Sequence, residues 1–185
     1  MAEPTIRLAA KEDVPEILSM IKELAGFENA ADSVHATEES LLKTLSFAPS
    51  RQQDSTTATS ASTPSQPGYA KTFLLLTPQN EVAAMALYFH NYSTWRAAPG
   101  IYLEDLFVKP HFRTRGYATL LLRELAKEVQ RIGGGRLEWS CLKWNENALR
   151  FYEGLGAVQM EEWVGLRVDG DNLVKLSKRV VNAKE

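Results

Sequence analysis

The chain is poor in the residues that mark secreted, metal-binding or membrane proteins. It has a single cysteine, Cys141, which excludes a disulfide framework within the chain and fits a reducing compartment. Its three histidines, His35, His90 and His111, are scattered without metal-ligand spacing, so no metal is expected. No apolar run approaches the roughly 20 residues that span a bilayer. The first residues, Met1-Ala-Glu-Pro-Thr-Ile-Arg, hold acid and proline where a signal peptide has a basic stretch and an apolar core. The expected compartment is the cytoplasm, with the nucleus as alternative. Charge of one sign is also missing: 21 Lys and Arg against 23 Asp and Glu leave −2. Nothing therefore draws the whole molecule to nucleic acid or an anionic membrane, and charge-based recognition has to be local.

What is present is an ordinary globular composition, 44% apolar and 24% charged over 185 residues, enough for one domain with a core. Residues 6–9 read as a short strand. Asp13 and Glu16 have the spacing of a helix start, and Val14, Ile17, Leu18, Ile21, Leu24 and Ala25 recur at helical spacing behind them. Thr37, followed by Glu38 and Glu39, marks a second helix whose buried side is Leu41, Leu42 and Leu45. From 48 to 70 the chain is rich in Ser, Thr, Pro and Gln with little to bury, which predicts a flexible surface loop inserted in a single domain spanning 1–185.

Strands are predicted at 72–76, 81–90 and 100–108, with turns at 78–80 and 97–100, giving an antiparallel meander that Pro110 stops. A helix follows over 117–131, with Leu121, Leu122, Leu125 and Val129 on one side, closed by Gly133-Gly134-Gly135. A strand at 136–142, a helix at 146–154 and a hairpin of 158–168 with 172–176 complete the pattern. Asp169-Gly170 supplies the hairpin's turn signal. The order β-α-α-β-β-β-α-β-α-β-β predicts an α/β (α+β) fold in which helices flank a mixed, mostly antiparallel sheet.

The segment Val108-Lys-Pro-His-Phe-Arg113-Thr-Arg115-Gly116-Tyr-Ala118 joins a strand directly to a helix. A turn so placed aims several backbone N–H groups at one point, where the helix dipole adds positive potential; together they suit a phosphate or diphosphate. An ordinary strand–helix turn with solvated arginines is the alternative. It is neither a Walker loop nor a dinucleotide fingerprint.

Arg113-Thr-Arg-Gly116-Tyr-Ala118 resembles the Arg/Gln-x-x-Gly-x-Gly/Ala signature of the GNAT acetyltransferase superfamily, in its strand-before and helix-behind context. The likeness covers most of the chain. Ile6-Arg7, residues 21–25, Tyr102-Leu103-Glu104-Asp105, Trp144-Asn145-Glu146, Phe151-Tyr152 and Gly156-Ala157 are similar to the diamine (spermidine/spermine) branch. Asn91-Tyr92-Ser93-Thr94-Trp95 looks still more like the thialysine acetyltransferases. The resemblance implies the GNAT acyl-CoA N-acyltransferase fold, acetyl-CoA as co-substrate and a homodimer with its sites near the subunit interface.

It also implies roles. The diphosphate would sit on the N–H groups of Arg115, Gly116, Tyr117, Ala118 and Thr119, beside Arg113 and Thr114, and the thioester arm would pair with Leu106, Phe107 and Val108. Asn145 would contact the acyl carrier, or cap the helix behind it, or both. Tyr152 would be the general acid for the departing sulfur, since a phenol with a pKa of about 10 keeps its proton at neutral pH. Glu104 would be the base, acting through a water. Glu104 and Asp105 are successive strand residues and face opposite sides unless a bulge re-aims one, and a bulge on this strand is part of the resemblance.

A cationic amine calls for carboxylates and ring faces. Glu28 and Glu162 resemble residues that hold a distal ammonium, Trp95 offers a ring, and Phe27 stands where the branch often has tyrosine. Hydroxyls of Ser93 and Thr94 suit the carboxylate of an amino-acid-like amine such as thialysine, with polyamines as the other substrate class. A solvated surface residue is the plain alternative for each. The rival functions are acetylation of protein or peptide amines, and a non-catalytic acyl-CoA-binding module.

Overall fold

Apolar residues at every position of 73–76 and 83–88 make the centre of the sheet, because a strand covered on both faces has little room for polar side chains. The computed structural model describes residues 3–49 and 68–179. The chain falls into two compact units, Met1–Ser140 and Cys141–Glu185.

The first unit holds a six-stranded sheet formed by β1 (Thr5–Leu8), β2 (Leu45–Ser46), β3 (Ala70–Leu76), β4 (Val82–Ser93), β5 (Ala98–Val108) and β6 (Leu137–Trp139). The order is β1-β3-β4-β5-β6, with β2 added beside β3. β1, β3, β4 and β5 pair antiparallel, while β2 with β3 and β5 with β6 are parallel. Three helices belong to this unit: α1 (Val14–Phe27), α2 (Glu38–Thr44) and α3 (Tyr117–Arg131).

Alternation decides which helix covers which face. Leu74, Leu76, Met85, Leu87 and Phe107 pack with Val14, Ile17, Leu18 and Met20 of α1 and Leu41 of α2. The intervening residues point the other way. Among them Tyr88 is buried, and Glu128, Arg131 and Glu124 of α3 all act on its phenol. Leu121, Leu122, Leu125 and Val129 are the buried stripe of α3. Each such side chain contributes about 1.5–3 kcal/mol by leaving water.

The meander agrees with the sequence pattern, but its second turn falls at 94–97, earlier than the expected 97–100. Ser93 Oγ accepts the Arg96 N–H at 3.3 Å and the ladder resumes at once with Ser93 opposite Ala98. The expected loop of 48–70 is pinned at its base. Ala48 N–H donates to Ala9 O at 2.9 Å, Tyr69 N–H donates to Thr44 O at 2.8 Å, and Ala70 already belongs to β3. A Cβ on Gly68 would lie 2.5 Å from the Leu45 carbonyl carbon, so only glycine fits there. The expectation of flexibility for 50–67 lies outside the described residues.

In the second unit, α4 (Glu146–Gly154) stands where the pattern placed it, whereas the final hairpin is overturned. Among the described residues none of 158–168 is a strand, and α5 (Gly170–Ser177) occupies the second half of the expected hairpin. Asp169-Gly170 acts as a helix start: Asp169 is extended at the N-cap, its carbonyl accepts the Leu173 N–H, and Asp171 and Lys175 complement the helix dipole at either end.

Candidate active site

Three pieces of the first unit converge: the end of α1, the middle of β5 and the turn into α3. α1 ends at Phe27 because Asn29 turns left-handed at φ 57° and Ala30 N–H reaches back to Ala25 O at 2.8 Å. That ending sets Phe27 and Glu28 at the helix mouth. On β5 the ladder with β4 slips by one residue, Leu103 lying opposite Tyr88 but Asp105 opposite Leu87, so Glu104 is the inserted residue of a bulge. The strict alternation that would separate Glu104 from Asp105 is therefore broken where the two carboxylates stand.

Burial pushes the Asp105 carboxyl up to about 6, and the neighbouring charges of Glu104 and then Glu28 push it the same way. Glu28, Glu104 and Asp105 are thus one electrostatic group, a wall suited to a cation. The group also costs stability. Asp105 binds more protons in the folded chain than at its ordinary value of 3.8. Stability therefore falls as pH rises from about 4 to 6 and the whole penalty applies above that. Asp105→Asn is expected to stabilise the protein at pH 7 by about 1–2 kcal/mol, allowing for partial solvent screening, and to make no difference below pH 4. Urea titrations at the two pH values measure it; equal midpoints at pH 7 would contradict it.

β5 pairs with β6 only from Ile101 to Leu103. Beyond that, residues 104–108 have β4 on one side and no strand on the other among the described residues. Leu106, Phe107 and Val108 lie on this open edge, where an extended arm carrying amides can pair.

The turn follows. Thr114 and Gly116 are left-handed, at φ 62° and 77°, and Gly116 is the N-cap of α3 with no side chain to satisfy the first turn. The N–H groups of residues 115–119 have no partner among the described residues, as the geometry of a helix start requires. A Cβ at Gly116 would meet nothing within 4 Å. Exposed donors, a positive helix end and open space in front fit a diphosphate. Arg115 stacks on Phe112 at 5.4 Å and donates to His111 O at 3.3 Å. Arg113 lies over Phe27 and over Phe107, 5.8 Å from each ring centroid, and donates from Nε to Val108 O at 3.0 Å.

Other expected site residues belong to other elements. Ser93, Thr94 and Trp95 sit at the tip of the β4–β5 hairpin. Asp105 lies seven steps along β5 from Ala98 at that tip, about 23 Å at strand rise. Within one copy they cannot line the acidic wall; Ser93 is buried and holds its turn. In the second unit, Asn145 caps α4, its Oδ1 accepting the Ala148 N–H at 3.2 Å. Tyr152 is half-buried on the same helix, its ring 5.3 Å from that of Phe151. Glu162 is exposed in a stretch without strands, since the hairpin expected to place it does not form. Among the described residues no group of three or more His, Cys, Asp or Glu is arranged to hold a metal, and no helix is long and apolar enough to cross a membrane.

Comparison with known proteins adds what geometry alone leaves general. The chain is 33% identical over 199 residues to the L-ornithine N5-acetyltransferase NATA1 of Arabidopsis thaliana, covering 94% of this chain and 87% of that one. It is 32% identical to the thialysine N-epsilon-acetyltransferase of Bos taurus, covering 96% and 99%. An integron cassette protein of V. cholerae has the same fold, with a TM-score of 0.71 at 22% identity over 97% of this chain and 99% of its own. The model of the acetyltransferase (GNAT) family matches residues 38–157, across the bulged strand, the turn into α3 and α4. The chain belongs to the GNAT family and is an acetyl-CoA-dependent N-acetyltransferase.

Proposed function

We propose that the enzyme acetylates a primary amine of a small cationic substrate, an amino acid of the thialysine, ornithine or lysine type. The observation that carries this reading is the wall of Glu28, Glu104 and Asp105 beside the open edge of β5. Such a wall neutralises an ammonium and gains from it, because a bound cation offsets the carboxylates' mutual repulsion. The names of the relatives, which act on ornithine and on thialysine, support the same class. A polyamine is the second reading, favoured by there being three carboxylates where one distal ammonium needs one or two.

In this reading the N–H groups of residues 115–119 hold the diphosphate and those of the β5 edge polarise the thioester carbonyl. An oriented donor of that kind is worth about 3 kcal/mol to an acyl transfer. Glu104, solvent-exposed on its bulge, receives the amine's proton through a water as the amine nitrogen bonds to the acetyl carbon. Tyr152 gives its hydroxyl proton to the sulfur as the C–S bond breaks, and Asn145 steadies the carrier from the start of α4. The family match runs across both units, which supports one catalytic domain over 1–185. Trp95, 90% exposed at the hairpin tip, supports a homodimer in which Thr94 and Trp95 reach a second copy's site while Ser93 holds the turn that presents them. Gel filtration tests that. The cytoplasm remains the proposed compartment.

A panel of L-ornithine, thialysine, lysine, spermidine and a short lysine peptide, assayed by thiol release from acetyl-CoA, tests the substrate class. The expected order of kcat/KM is free amino acid, then spermidine, with the peptide last; a preference for the peptide would replace this reading with protein acetylation.

A further inference from the structure

We propose that Arg113 is a positioning residue that couples the amine pocket to the acyl-carrier turn, through a guanidinium clasped by Phe27 and Phe107. The inference rests on the function proposed above and gives this arginine a task beyond attracting phosphate. Three elements meet at the one group. Phe27 is the last residue of α1, Phe107 is a buried residue of β5, and Arg113 itself opens the diphosphate turn. The guanidinium carbon is 5.8 Å from both ring centroids, within cation–π reach, and Nε is committed to Val108 O at 3.0 Å.

The neighbouring arginine shows the contrast. Arg115 makes its ring contact and its hydrogen bond with Phe112 and His111, both inside the turn.

Phe27 precedes Glu28, whose charge acts on Asp105. Phe27 is 46% exposed, and the clasp is one of the contacts that hold this helix end. A carrier that settles the turn fixes Arg113, and through Phe27 fixes Glu28 against the amine. Binding linkage makes the effect reciprocal: amine tightens carrier by the factor with which carrier tightens amine.

The test uses the full chain, with free CoA as the binding probe and the best amine of the panel. Arg113→Lys keeps the charge but loses the planar guanidinium and the Nε donor. It is expected to raise the amine KM roughly tenfold while changing CoA affinity only a few-fold, and to abolish the effect of amine on CoA binding. Phe27→Leu should do the same, Phe27→Tyr should restore the wild-type KM, and the double variant Phe27→Leu/Arg113→Lys should be no worse than either single one. Arg115→Lys should weaken CoA alone. An Arg113→Lys enzyme with a wild-type amine KM, or additive losses in the double variant, would overturn the coupling while leaving the proposed function intact. A wild-type enzyme that acetylates no member of the panel would overturn both, and that is seen before any variant is made.

Discussion

Tyr152→Phe lowers kcat by about 10²- to 10⁴-fold and leaves the KM for acetyl-CoA within about twofold; this is the largest effect we expect from one oxygen atom. The ring stays, and with it the packing beside Phe151 on a half-buried face of α4. Only the donor is lost, so the departing sulfur would leave as a thiolate with no proton supplied at that point. Thiol release from acetyl-CoA, followed under saturation with the preferred amine, measures the change. Thermal unfolding of the variant should match the wild type, which separates lost chemistry from lost structure. A variant retaining a third or more of kcat would show that the proton comes from elsewhere.

Gly116→Val is expected to raise the Kd for CoA about 100-fold. Two physical causes add. At φ 77° a β-branched residue is strained, by about 1–2 kcal/mol, and the turn will relax away from its present course. The new side chain also projects into the open space in front of the turn, since nothing of the protein lies within 4 Å of its Cβ position. There it stands between the N–H groups of 115–119 and a diphosphate. Losing two charge-assisted hydrogen bonds of about 1.5 kcal/mol each accounts for the factor. Gly116→Ala, with the same backbone strain and less bulk, should fall between. Calorimetric titration with CoA checks both. Unchanged affinity in Gly116→Val would place the diphosphate away from this turn.

Much of this was legible from residue patterns, for identifiable reasons. α3 was placed at 117–131 because a leucine stripe at helical spacing runs between a strand-stopping proline and a run of three glycines. The turn before it was legible as a strand-to-helix turn because a glycine stands where the backbone goes left-handed. Carboxylates 104 and 105 were legible as a pair, but a one-residue slip between β4 and β5 depends on what both strands bury, and only the family likeness pointed to it. Other features are long-range and leave no local trace. Nothing in the order of residues announces that Arg113 will lie over Phe27, 86 positions earlier. β2 is two residues long, too short for any period, and exists because Ala70 and Lys71 offer it an edge. Asp-Gly served as a hairpin signal, and the same two residues start α5, since an aspartate is as good at opening a helix as at bending a ribbon. The hydroxyls of Ser93 and Thr94 suit a carboxylate, but how far along the ladder they stand from residue 105 is set by the pairing of β4 with β5 and leaves no local trace.

The early end of the pairing between β5 and β6 has a consequence for how the enzyme behaves before and after it is charged. Three register pairs join the strands, and from residue 104 onward β5 offers main-chain groups toward a side where the described residues supply no second strand. The pantetheine arm of CoA carries two amides in an extended chain, so it can serve as a short foreign strand. Amide protons at Ile101 and Leu103 should therefore exchange slowly with deuterated water at all times. Alternate amides of 104–108 should exchange fast in the free enzyme and slow once CoA is added, so that the donor completes part of the sheet and leaves it open again on release.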